Sequence, residues 1–160
     1  MANWSAGEEI TAAKLNDRRG FDDTGASVYT NIGSPQSIND GDTDILEFSV
    51  ETFDKGSNFN TATYKYTAPA DGIYLIVAQI GFVSIPTDGD VIAIRIYKND
   101  GDTGRIASAS NAGDANDYAF ASISVILDLS SGDTISAYGE MHCSDASKSI
   151  LARMDIIRIA

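Results

Sequence analysis

From Ile73 to Phe82 the chain runs IYLIVAQIGF, apolar on both faces of any strand it forms. Successive side chains of a strand point to opposite sides. One face therefore carries Tyr74, Ile76, Ala78, Ile80 and Phe82, and the other carries Ile73, Leu75 and Val77. A half-solvated antiparallel strand alternates apolar with polar residues, and this one does not. It requires cover on both sides: a second sheet on one, and on the other a further copy of the same chain. The preceding Pro69-Ala70-Asp71-Gly72 supplies a tight turn into it.

The 160 residues suit one domain with a real core. A formal net charge of −12, with 11 Lys and Arg in all, excludes nucleic acid as a partner, because phosphate binding needs clustered cations. The same charge argues against anionic membranes, and no apolar run is long enough to span a bilayer. Met1 to Arg19 lacks the apolar segment of a secretory signal, so synthesis in a host cytoplasm without secretion is expected. Cys143 is the single cysteine, which rules out an internal disulfide; between His142 and Ser144 it reads as a packed thiol.

Residues 1–25 read as an attachment arm and 26–160 as a head. Thr11 suits the N-cap of a short helix, Ala12–Arg19, closed by Gly20. Ile10 before the cap and Leu15 four residues after it have the spacing of a hydrophobic staple. Two turns of helix do not hold in water alone, so Trp4, Ile10 and Leu15 are expected to anchor the arm against a partner. From Ser27 onward everything reads as strand: 28–32, 45–52, 63–67, 73–83, 91–98, 105–110, 118–129, 134–138 and 150–159. Gly- and Asp-rich turns separate them, as at Asn99-Asp100-Gly101-Asp102 and Ser131-Gly132-Asp133. Turn signals at this frequency, with no long amphipathic helix, indicate an all-β, antiparallel two-sheet jelly-roll sandwich.

Phe53-Asp54, Asn58-Phe59, Tyr66, Pro69-Ala70-Asp71-Gly72 and Tyr74 resemble the signature of the complement component 1q head, within the tumour necrosis factor-like superfamily. Lys98-Asn99 with Gly101, and Phe120–Leu129 followed by Gly132-Asp133-Thr134-Ile135, continue the match in order, as Ala26–Tyr29 and Gln36–Ile38 begin it. The last strand departs: Ile150-Leu151-Ala152-Arg153 lacks the aromatic and the glycine expected there. The resemblance implies a homotrimer around an apolar three-fold axis, with Tyr74, Ile76, Ile80 and Phe82 expected as the trimer core. Separately, Trp4-x-x-Gly7-Glu8-x-Ile10-Thr11-Ala12-Ala13-x-Leu15-Asn16 resembles an N-terminal motif of tailed-bacteriophage structural proteins.

Sites with chemistry are sparse. Asp40-Gly41-Asp42-Thr43-Asp44 alternates carboxylates, but Ile45 stands where a calcium-binding loop of the EF-hand type needs glycine. Asp100, Asp102, Asp114 and Asp117 lie in two loops that a jelly roll can bring together, the best calcium candidates by the resemblance; otherwise no cofactor is expected. One histidine, no second metal-binding His or Cys and no phosphate loop leave enzymatic chemistry without support. The expectation is a non-enzymatic bacteriophage virion structural protein, a homotrimeric knob on the virion surface. Its arm would hold a larger virion component, with capsid decoration (cement) the favoured role. The alternative is a tail-fibre or tail-tip head whose loops 100–104 and 112–117 bind a host surface glycan or protein.

Overall fold

The computed structural model describes residues 24–84, 86–87, 89–100, 105–112 and 119–159. They form twelve strands and no helix: β1 (Ala26–Tyr29), β2 (Gln36–Asn39), β3 (Thr43–Ile45), β4 (Val50–Asp54), β5 (Phe59–Asn60), β6 (Lys65–Thr67), β7 (Gly72–Phe82), β8 (Val91–Lys98), β9 (Arg105–Ala112), β10 (Phe120–Leu129), β11 (Thr134–His142) and β12 (Ser147–Arg158). One sheet has the order β10-β7-β12-β1-β4, with β2 also on β12; the other has β5-β6-β11-β8-β9, with β3 on β11. Every pairing is antiparallel. The two-sheet antiparallel sandwich anticipated from the turn spacing is therefore present. The expected helix at 12–19 lies outside the described residues.

The core follows from period-two alternation. Tyr74, Ile76, Ile80 and Phe82 of β7, with Ile150, Met154 and Ile156 of β12, are buried. Ile92, Ile94 and Ile96 of β8, with Ile135 and Met141 of β11, are buried in the same cluster from the second sheet. Gly139 of β11 shows how closely the layers approach: a Cβ there would stand 2.7 Å from Ile80 Cδ1 and 2.8 Å from Ile38 Cδ1. Tyr66 and Tyr74 meet edge to face at 6.2 Å between ring centres, and Phe48 meets Phe59 similarly at 6.3 Å.

One expected strand divides. Within residues 45–52, Ile45 ends β3 in the second sheet and Val50 begins β4 in the first. The buried Leu46 and Phe48 plug the crossing between the layers. Gln36 substitutes for the missing ladder: its Nε2 donates to the Ile45 carbonyl at 2.8 Å and its Oε1 accepts from the Glu47 N–H at 2.9 Å.

At the β8 entrance, Asp90 and Lys148 are both buried and paired at 3.1 Å. Desolvation works against the Asp90 carboxylate. Donation from the Ser144 N–H (2.8 Å), the Thr87 N–H (2.8 Å) and Lys148 nonetheless holds it below the usual carboxylate range. Removing Asp90 leaves Lys148 only the exposed Asp145, 2.7 Å away, and takes the acceptor from the Ser144 and Thr87 N–H groups. Asp90→Ala is expected to lower stability by about 1–3 kcal/mol, read from urea unfolding; a loss under about 0.5 kcal/mol would show that water already solvates the pair.

Candidate assembly face and attachment end

The outward face of the first sheet is the least covered apolar surface among the described residues. The ladder aligns it in rows across β10, β7 and β12. Ile126, Leu75 and Ile157 form one row; Ser124, Val77 and Asp155 the next; then Ser122, Gln79 and Arg153; then Phe120, Gly81 and Leu151. Ile126 is 63% exposed and Phe120 58%, with Val77 on the same face and Phe53 and Ile32 further along the sheet also open. Water-facing aliphatic and aromatic groups gathered on one sheet face mark an interaction surface rather than scatter.

Gly81 is a requirement of this face. The Phe120 ring lies flat across it, and a Cβ at position 81 would overlap the ring carbons. Beside that ring a groove of about 400 Å³ is lined by Tyr29, Ile32, Gln79, Leu151 and Arg153. One charged pair interrupts the apolar rows: Arg153 Nε and Nη2 donate to the two Asp155 carboxylate oxygens at 2.9 and 3.0 Å. A third donation, from Nη2 to Ser27 Oγ at 3.2 Å, ties the guanidinium down. Paired in this way, the two charges can be covered at less cost than either one alone.

This geometry corrects the trimer-core assignment. Tyr74, Ile76, Ile80 and Phe82 face inward and are enclosed by the chain's own second sheet. They are unavailable to a neighbour. The strand is indeed apolar on both sides, but its outward residues are Ile73, Leu75 and Val77, flanked by Phe120 and Ile126 of β10 and Ile157 of β12. Those flanking residues were missed because β10 reads FASISVIL, in which the serines at 122 and 124 mask the apolar ends of its outward face.

The signature residues gather at one end of the sandwich. Asn99, at φ +58°, donates through Nδ2 to Asp133 Oδ1 at 2.7 Å and accepts the Thr134 N–H at Oδ1, 2.8 Å. Lys98 Nζ lies 2.7 Å from Asp133 Oδ2. Asp71 accepts the Ser131 N–H at 2.7 Å, and the Gly132 N–H reaches the Ala68 carbonyl at 2.8 Å. The Pro69–Gly72 turn, the Lys98-Asn99 strand end and the Ser130–Thr134 turn are thus one network. The chain enters the head at this same end. The Tyr66 hydroxyl donates to the Thr24 carbonyl at 2.5 Å, and the Lys55 N–H donates to the Gly25 carbonyl at 2.9 Å.

The anchoring residues Trp4, Ile10 and Leu15 lie outside the described residues, as do Asp102, Asp114 and Asp117. Asp100 is engaged with Lys65, and its Oδ1 accepts from Ser136 Oγ at 3.0 Å. The loops at 101–104 and 113–118, which carry the other calcium candidates, lie outside the described residues. Asp40 accepts the Cys143 N–H, tying two loops together, and Asp42 accepts from Asn39 within its own turn. Among the described residues no three His, Cys, Asp or Glu side chains converge as metal ligands. Burial pushes the Cys143 thiol up, and Sγ lies 3.0 Å from the Asp145 carbonyl, the reverse of an activated nucleophile. His142 stands 3.3 Å from Glu140 at the surface.

No family model matches the sequence, and no curated protein does. Solved structures do. The globular domain of zebrafish complement 1qA superposes with TM-score 0.63 at 17% identity, over 86% of this chain and 97% of that one. Eiger, a tumour necrosis factor from S. frugiperda, gives 0.63 at 14% identity, over 89% and 94%. The PRD1 vertex protein P5 gives 0.59 at 12%, over 85% and 96%. The fold is the complement 1q/tumour necrosis factor-like jelly roll. No helix among the described residues is long and apolar enough to cross a membrane.

Asp133 gives the jelly roll a measurable pH dependence. Donation from Asn99, then from Lys98 and the Ser130 N–H, holds its carboxyl down at about 2 from an ordinary 3.8. A depressed folded value stabilises above the unfolded pKa and is lost as pH falls through the folded one. Wild type is therefore expected to exceed Asp133→Asn in urea midpoint at neutral pH, with the gap closing between pH about 4 and about 2. A gap constant down to pH 2 would refute the assignment.

Proposed function

We propose that this chain is a non-enzymatic structural protein of a bacteriophage virion, a homotrimeric jelly-roll knob tied to a larger virion component by its N-terminal arm. The observation that carries the assembly half is the outward face of β10, β7 and β12, where Phe120, Ile126, Val77 and Leu75 meet solvent in a single chain. Packing three such faces about an axis removes that surface from water, worth roughly 25 cal/mol per Å² of apolar area. The likeness to a viral vertex protein and the phage-like residues Trp4–Asn16 support the virion half. Within that setting the favoured role is capsid decoration, a knob placed over a shell.

Clamping of Thr24 and Gly25 at one end of the head fits this role. Three arms then start from fixed points at the same end, and simultaneous engagement multiplies weak individual grips. The rival role, a tail-tip receptor-binding head, was framed on loops 100–104 and 112–117. Residues 101–104 and 113–117 of these loops lie outside the described residues.

Sedimentation equilibrium is expected to give three times the chain mass. Ile126→Asp and Val77→Asp should each yield folded monomers, because the new charge sits on the exposed face and is intolerable only once covered. Retention of a wild-type trimer by both variants would sink this choice of face. Deleting residues 1–19 should leave the trimer intact and abolish binding to particles. Labelling intact virions locates the protein: many copies over the head support decoration, and confinement to the tail overturns it.

A further inference from the structure

The second sheet has an outward face of its own, and its large side chains are concentrated in one place. The outer strands contribute short polar residues to it: Thr43 of β3 beside Glu140, and Ser108 and Ser110 of β9 beside Arg95 and Ala93. At the centre, Tyr138 of β11 is flanked by Arg95 of β8 and Ile45 of β3, while Tyr97 of β8 sits opposite Ser136. The Tyr97 and Tyr138 rings lie 4.6 Å apart between centres, inclined at 56°. Both are only half-buried. Among the described residues, no group hydrogen-bonds either phenol hydroxyl.

Two ion pairs bracket this aromatic shelf. On one side Lys65 pairs with Asp100, which Ser136 also holds. On the other Arg95 pairs with Glu140, and His142 adds a contact to Glu140 at 3.3 Å. Arg105 of β9 stands opposite Tyr97 in the ladder, while each of these two pairs neutralises itself. Each nevertheless keeps unused carboxylate lone pairs or guanidinium N–H groups at a fixed position. The apolar area, two tyrosine rings and one isoleucine, is too small for an amphipathic helix and has the dimensions of a pyranose ring or two.

We infer that the Tyr97–Tyr138 shelf is a binding site for a neutral saccharide. Sugar C–H faces stack on the tyrosine rings, and sugar hydroxyls both donate to Asp100 and Glu140 and accept from Arg95 and the phenols. A polyhydroxyl ligand is the class that uses donors and acceptors side by side without requiring net charge. The site lies on the sheet opposite the assembly face, so trimer formation leaves it open. It stands independently of the virion reading: a knob without sugar affinity remains a knob.

The test uses the full-length chain on an array of neutral oligosaccharides, followed by calorimetric titration of the best binder. Binding is expected, weakened about tenfold or more by Tyr97→Ala or Tyr138→Ala. Trimer mass and thermal midpoint should be unchanged in variants that remain folded. If an alanine variant unfolds, Arg95→Gln and Glu140→Gln keep both rings and are expected to weaken the same sugar. No binding at millimolar concentration, binding indifferent to all four substitutions, or binding confined to sulfated or other charged sugars would each overturn the site.

Discussion

The structure depends on how β7 divides its two apolar faces. Its position in the sheet, between β10 and β12, exposes both faces to whatever lies above and below. The chain has one second sheet to offer, and it covers Tyr74, Ile76, Ile80 and Phe82. These are the larger side chains, so burying them removes the greater area from water. The smaller set, Ile73, Leu75 and Val77, is left outside. Gly139 is the counterpart of that choice: without a side chain it lets Ile80, Ile38 and Leu46 fill the interlayer space.

The fold was legible from alternation and turn spacing because both are local. Nine of the candidate segments are recovered as strands or parts of strands, and the two-sheet arrangement follows from their turns. What was not legible is which sheet a short segment joins. Residues 45–52 alternate like one strand, yet the chain changes layer at Leu46–Phe48, held by an amide from Gln36, about ten residues away. A side chain acting as a ladder partner leaves no period in the sequence.

The open apolar face was legible in kind but not in place. A strand apolar on both faces needs cover on both, but periodicity alone does not say which face the core takes. The answer depends on β10, paired along the whole of β7. Its outward residues alternate Phe120, Ser122, Ser124 and Ile126, a mixed row that reads as an ordinary solvated edge until Leu75 and Gly81 are placed beside it.

The signature residues have a mechanical meaning that follows from where they meet. Asn99 accepts a left-handed backbone, and its amide answers both the Thr134 N–H and the Asp133 carboxylate. Three turns from distant parts of the chain are thereby tied at one end, a few residues from where Tyr66 holds Thr24. A head gripped through its first residues experiences any pull on them at that point. Rigidity is most useful where the strand ends would otherwise fray. The lateral sheet face and the terminal network are thus separate features: one leaves apolar side chains open to solvent, and the other ties three turns and the start of the first strand together at one end of the sandwich.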